Sequence, residues 1–318
     1  MSGGSTFSGG ESLNLTLIFL GTGGSVPSPL RALPSLALRR GGELLLFDCG
    51  EGTQAQMLRA GLSPLKVSAV FLSHLHGDHF LGLAGMVQTM SLFGRTQPLR
   101  IYVPEGERER IETFLRLPHY TPSFEARVEE LSAGGEVRGN GYRLLTCPLK
   151  HGVRGLAFSL EESPRPGRLD PQKAMELGVT PGPSFSLLKA GKSVSLPGGG
   201  EVKPEEVLGP PLPGRKVVYA VDTRPSQETV ALASGADVLV HDSMFGEELA
   251  EKARERGHST SSEAAWLARE AGVKLLVLTH LSPRYQETSL LLEQARKIFP
   301  NTVVAEDLMV LEVPLAGG

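Results

Sequence analysis

The chain has few cysteines, few aromatic residues and no strong charge of either sign. Two cysteines, Cys49 and Cys147, stand among 318 residues. A pair of thiols cannot build the disulfide framework that staples small secreted domains, so two reduced thiols in a cytoplasmic protein are expected. Formal charge is −3, which excludes a uniformly polycationic nucleic-acid binder and leaves any such contact to a local patch. The apolar run Phe80 to Gly94 is too short to cross a bilayer and carries Gln88, Thr89 and Ser91. Residues 1–14 lack a basic segment followed by an apolar one, so no signal peptide is expected and residues 1–12 read as a flexible Gly/Ser tail. What is abundant is glycine and proline, 38 and 23 residues, about 19% of the chain against an ordinary ~12%. Many short elements joined by tight loops follow from that.

Short apolar runs alternate with turn signals in the first half. Leu13 to Leu20, Ser35 to Arg39, Glu43 to Phe47, Val67 to Leu72 and Leu99 to Val103 read as strands. Thr53 to Ala60, Phe80 to Met90 and Arg108 to Leu115 carry helical periodicity. Later strands, Lys216 to Val221, Asp237 to His241 and Lys274 to Thr279, alternate with helices at Ser226–Ala233, Ser261–Ala271 and Glu287–Lys297. This order predicts a layered α/β domain over residues 13–318. Ser163 to Pro213 interrupts it with ten prolines, too many lost donors for a compact core, and is expected to be a protruding insertion. Its part from Ser163 to Lys192 has a local balance of +3, from Arg165, Arg168, Lys173, Lys189 and Lys192 against Asp170 and Glu176.

The densest chemistry lies in Ser73-His74-Leu75-His76-Gly77-Asp78-His79, between a strand and a helix. Four imidazole or carboxylate groups within six residues suit zinc or a similar divalent metal, because a tight turn can aim them at one point. Two such ions need further donors. His151, Asp222 and His280 each follow an apolar strand, at the carboxyl ends where α/β sheets gather ligands. Each alone reads as a satisfied edge residue; jointly they read as the missing donors. His119 and His241 have no such company and read as structural. Thr22, Gly23 and Gly24 are either a phosphate-contacting turn or a plain one.

His-x-His-x-Asp-His followed by a distant His, Asp and His resembles the metallo-β-lactamase fold. Phe47-Asp48-Cys49-Gly50-Glu51-Gly52-Thr53-Gln54, Asp222-Thr223-Arg224-Pro225, Gly257-His258-Ser259-Thr260 and Gly178 to Pro183 narrow the likeness to the ribonuclease Z family, over about Leu15 to Val313. The resemblance implies a four-layer αββα sandwich with a tRNA-binding arm at about 163–192. It implies an endoribonuclease that removes the 3′ trailer from precursor tRNA. Two divalent ions per subunit are implied, zinc or manganese. His74, His76 and His151 would hold one, and Asp78, His79 and His280 the other, with Asp222 between them. Asp78 would be the general base, and His258 would face the scissile phosphate. Asp242 stands where the family has a glutamate orienting that histidine, so a weaker or water-bridged contact is expected. In the segment Pro27 to Ala32, Pro27 and Arg31 fit the family's loop for sensing the tRNA 3′ region. A homodimer, with the arm of one subunit serving the other, is implied as well. Two other readings compete. One is a hydrolase of small esters, thioesters, lactams or phosphodiesters on the same fold, and the other is a binding module without metal.

Overall fold

The computed structural model describes residues 14–315, so the expected tail at 1–12 lies outside it. Two compact units divide the described chain: residues 14–161 with 215–314, and residues 162–214. Sixteen strands are described. In chain order they are β1 (Leu15–Gly21), β2 (Ser35–Arg40), β3 (Glu43–Phe47), β4 (Val67–Phe71), β5 (Leu99–Pro104), β6 (Ala126–Leu131), β7 (Glu136–Gly139) and β8 (Tyr142–Pro148). These are followed by β9 (Leu156–Glu162), β10 (Val194–Ser195), β11 (Glu201–Val202), β12 (Lys216–Ala220), β13 (Val238–Asp242), β14 (Leu275–Thr279), β15 (Thr302–Val304) and β16 (Val310–Val313).

The larger unit is two seven-stranded sheets, ordered β16-β1-β2-β3-β4-β5-β6 and β15-β14-β13-β12-β9-β8-β7. Side-chain alternation builds its layers. Along β1, Leu15, Leu17 and Phe19 enter a core between the sheets with Phe47, Phe71, Phe158 and Tyr219. Ile18 and Leu20 point the other way, into a second core with Met57, Leu83, Met86 and Met90 from helices Thr53–Arg59 and Leu83–Leu92. On the outer face of the other sheet, Val218, Leu239, Leu276 and Leu278 pack on Ala264, Ala265, Leu267 and Ala268 of helix Ser261–Ala271. Helix, sheet, sheet, helix is the αββα sandwich. Each fully buried Leu or Phe contributes roughly 1.5–3 kcal/mol, so the three cores carry the stability.

β3, β4, β5 and β6 pair in parallel, as do β12, β13, β14 and β15. Parallel strands collect their carboxyl ends on one edge, which is where loops with polar side chains can meet.

The sequence reading departs from the structure at one helix and leaves β9, β15, β16 and helix Ala250–Arg256 among the elements it did not name. The helix expected at Phe80–Met90 is two, Gly77–Phe80 and Leu83–Leu92. Gly82 sits between them with its α-carbon against the Gly50 carbonyl. An added Cβ would lie 2.1 Å from that oxygen, so only glycine allows the approach. Between helix Arg108–Leu115 and Tyr142 lie β6 and β7, and residues 118–125 form no regular element.

The smaller unit has a core of its own, made by Ala174, Val179, Leu188, Val194, Val202 and Val207. Its two chain ends run side by side. Arg165 and Leu212 exchange both backbone hydrogen bonds, at 2.8 and 2.9 Å, and the Asp170 amide donates to the Val207 carbonyl at 2.8 Å. Asp170 also caps helix Pro171–Glu176 by accepting from the Lys173 amide. The unit therefore extends past Lys192, and its second half brings Glu201, Glu205 and Glu206 against Lys203. Over 162–214 six bases meet six acids, so the +3 of the first half is a local excess.

Candidate metal centre

The site is built where the carboxyl ends of β4, β8, β12 and β14 converge. His74 and His79 are fully buried, and Asp222 and His280 nearly so. Asp222, His280 and the neighbouring Asp48 hold left-handed backbone angles, φ 51°, 57° and 57°. Such strain persists at non-glycine residues only where surrounding contacts over-determine it.

Two groups of donor atoms share Asp222. His74, His76, His151 and Asp222 form one; His74 Nε2 lies 3.4 Å and His151 Nε2 3.6 Å from Asp222 Oδ2. His76 Nδ1 lies 3.0 Å from His74 Nε2 and 3.2 Å from His151 Nε2. Asp78, His79 and His280 form the other. Asp222 turns its second oxygen to this group, with Oδ1 at 3.3 Å from His79 Nε2 and 2.7 Å from His280 Nε2. Asp78 Oδ2 stands 3.5 Å from both of those nitrogens. All seven residues expected as ligands are thus brought together.

Two observations test whether a cation fits. His79 Nε2, His280 Nε2 and Asp222 Oδ1 are buried without a well-formed hydrogen bond, although they crowd one another. Buried polar atoms are seldom left so, and a cation between them would satisfy all three. Three outward ring nitrogens are committed, while His280 Nδ1 is buried without a hydrogen-bond partner. His79 Nδ1 donates to Asp48 Oδ2 at 2.8 Å, His151 Nδ1 to the Gly257 carbonyl at 2.9 Å, and His74 Nδ1 to Ser73 Oγ at 3.0 Å. Each bond fixes a tautomer that leaves the inward nitrogen lone pair free, as a metal-binding imidazole requires.

Electrostatics agree. Burial pushes the His74, His76 and His151 imidazoles down, which keeps them neutral. Burial acts to raise Asp78, but the facing His280 and His79 imidazoles outweigh it and hold the carboxyl well below the usual range. Asp222 is held down in the same way, by His280, His79 and His74 against its burial. His280 is pushed up to about 10, Asp222 prevailing over burial. A divalent cation would take the place of those protons.

Above the donors lies a cleft of about 760 Å³. His76, Asp78, His151, Asp222 and His258 form its floor, Val26, Pro27, Leu33 and Leu81 an apolar flank, and Lys252, Arg256 and Arg284 a basic one. His258 Nδ1 donates to Asp242 Oδ2 at 2.9 Å, and Asp242 is fully buried. The shorter acid therefore makes the contact directly, correcting the expectation of a weakened or water-bridged one. Backbone amides of Thr223 and Met244 brace Asp242 at 3.0 and 2.9 Å.

The curated ribonuclease Z of Methanosarcina mazei is 50% identical to the chain over 301 residues, 94% of this chain and 98% of that protein. The chain belongs to the ribonuclease Z family. A crystal structure of the short form of human tRNase Z superposes with a TM-score of 0.69 at 29% identity, covering 94% of this chain and 100% of that one. The Bacillus subtilis protein YhfI, a metallo-β-lactamase fold protein, gives 0.68 at 20% identity over 94% and 99%, a likeness of fold. A family profile described as anti-Pycsar protein Apyc1 matches residues 15–127.

Other sequence expectations meet mixed outcomes. His119 is exposed, and His241 is buried with Nδ1 on the Asp242 carbonyl at 2.8 Å. The amides of Thr22, Gly23 and Gly24 go to Asp307, Ala32 and Leu281, so the plain turn holds and no phosphate cradle exists there. Arg31 is spent inside the protein, donating to Thr22 Oγ1 at 2.7 Å and the Ala305 carbonyl at 2.9 Å. Sequence reasoning gave no role to Asp48, whose carboxylate receives Ser73 N and Oγ, His79 Nδ1 and the Tyr219 hydroxyl. Its position at the end of β3, inside a quoted motif, was the available signal.

Proposed function

We propose that this protein is a metal-dependent endoribonuclease that cleaves the 3′ trailer from precursor tRNA. The observation that carries the reading is the shared Asp222 between two donor groups, in a chain of this family, beneath a cleft with a basic flank. Lys252, Arg256 and Arg284 have no ion-pair partner among the described residues. Three cations along one flank of the cleft suit a polyanion.

His74, His76, His151 and Asp222 would hold one divalent cation, and Asp78, His79, His280 and Asp222 the second. Zinc and manganese both suit the His/Asp set. When bound, such a pair supplies an acidified water and neutralises phosphoryl charge. The chain's own groups do the rest. Asp78, ionised on the cleft floor, takes the proton of the attacking water. Asp242 holds His258 through Nδ1 and leaves Nε2 to face the phosphate and protonate the departing oxygen. Arg224 donates to the His258 carbonyl at 2.9 Å and fixes that residue's backbone. Lys252, Arg256 and Arg284 grip neighbouring phosphates.

The arm at 163–192, within the smaller unit, would hold the body of the tRNA through its basic first half. A homodimer is part of the reading, supported by exposed Leu58, Leu65, Leu92 and Phe93 on contacting helical segments. The free cysteines and the RNA substrate support a cytoplasmic location; no helix among the described residues is long and apolar enough to cross a membrane.

The test is cleavage of a 3′-extended precursor tRNA by zinc- or manganese-loaded protein. Wild type should cut at the trailer boundary, and Asp78→Ala should lose at least about a hundredfold in kcat, the scale of a missing general base. Loaded wild type that leaves the precursor intact while hydrolysing a lactam or thioester would overturn the reading.

A further inference from the structure

Asp307 lies between β15 and β16, does not line the cleft, and closes both ends of one loop. Its Oδ1 accepts from the Thr22 amide at 3.1 Å and the Thr22 hydroxyl at 2.8 Å. Its Oδ2 accepts from the Ala32 amide at 2.7 Å and from Gln56 Nε2 at 3.0 Å. Arg31 clasps the same Thr22 hydroxyl, and the Gly23 amide donates to the Ala32 carbonyl at 3.0 Å. One carboxylate thus gathers the loop Thr22–Ala32 from a position 275 residues along the chain.

That loop touches the donor cluster at two points. The Ser25 amide donates to Asp78 Oδ2 at 2.8 Å. Gly24 lies flat against the His280 imidazole, where an added Cβ would come within 2.6 Å of Cε1. Its amide also donates to the Leu281 carbonyl, and Leu281 returns a bond to the Thr22 carbonyl. Ser25 and Leu308, the residue after Asp307, both hold left-handed angles, φ 68° and 67°. Strain at both residues shows a contact that the surroundings impose. The other donor group is braced differently, by Ser73 on His74 and the Gly257 carbonyl on His151.

We infer that Asp307 is a positioning residue that sets the cation affinity of the Asp78–His79–His280 half of the centre, acting through the Thr22–Ala32 loop. The inference rests on the proposal that the cluster holds two cations. An anchored loop keeps Asp78 and His280 at the spacing a cation needs; a released loop lets both relax toward each other's charge. Supporting contacts of this kind typically change metal affinity 10–100-fold.

The test is zinc titration against a chelator of known affinity, with thermal melts alongside. Asp307→Asn keeps the shape but turns an N–H toward donors. It should weaken one of two zinc sites about 10–100-fold and leave the other at its wild-type value. Gly24→Ala, which presses on His280 without touching Asp307, should weaken the same single site, and it decides the matter should Asp307→Asn fail to fold. Arg95→Ala is the control. It removes a buried guanidinium bound to four carbonyls at the far end of β4, so it should lower Tm and leave both sites unchanged. Both sites unchanged, or both weakened equally, in Asp307→Asn and Gly24→Ala would overturn the inference. Wild type that takes up fewer than two zinc ions would instead overturn the two-cation proposal beneath it.

Discussion

At the scale of single residues, the same burial has opposite chemical outcomes. Seven buried or half-buried groups converge on one another and gain charge or lone pairs from the convergence. The two cysteines are buried away from any cation, and burial raises their thiols, Cys147 to about 11 and Cys49 to about 12. A raised thiol is neutral until the pH passes its folded value, so both should stay protonated and inert at pH 8. Treatment with a thiol-specific disulfide reagent at pH 8 should leave native protein unmodified and label two thiols after denaturation. Prompt labelling of native protein would contradict the buried placement. Asp48 belongs at this scale too, since one carboxylate orients His79 and bonds Ser73 and Tyr219 across both sheets.

At the scale of elements, the candidate metal-binding turn His74–His79 is positioned by close backbone contacts more than by side chains. The Cys49 amide donates to the His79 carbonyl at 2.7 Å, and the Gly82 amide to the Cys49 carbonyl at 3.0 Å. These bonds stitch the end of β3 to the short helix Gly77–Phe80, and they require Gly82 to meet Gly50 without a side chain. Gly82→Ala should force the two backbones apart and destabilise by about 1–3 kcal/mol, the usual penalty of overpacking. A shift of the urea midpoint to lower concentration at unchanged slope measures it. An unchanged midpoint would mean that the contact has room to spare.

At the scale of the molecule, the insertion is a unit with its own core. Deleting only 166–189 would remove Ala174, Val179 and Leu188 and leave Val194, Val202 and Val207 without their packing partners. Deleting 163–213 is the cleaner cut, because Gly214 already packs on the Glu162 carbonyl and the ends can be joined. The shortened protein should hydrolyse bis-p-nitrophenyl phosphate much as before. Its cleavage of precursor tRNA should fall by about tenfold or more at moderate salt, as expected when a few phosphate contacts are lost. Equal loss of both activities would show that the unit supports the catalytic centre instead of the RNA. Because bases and acids balance over the whole unit, the salt dependence should come from its first half, around Lys173, Lys189 and Lys192.

Much of the design was legible in the chain. Alternation and turn residues located most strands, because the pleat repeats every two residues whatever lies around it. The dense His/Asp run and the three lone residues after strands pointed to one centre, because carboxyl ends of parallel strands share an edge. What folding alone decided depended on distances between remote segments. The split at Gly82 came from the Gly50 carbonyl, the direct His258–Asp242 bond from a buried acid braced by two amides, and the duty of Arg31 from Thr22 and Ala305. Asp307 had no local signature at all, since its four hydrogen-bond donors lie some 250 residues or more earlier in the sequence. Local patterns specify elements because their forces are local; which carboxylate orients which group is settled only when separate elements pack within 3 Å.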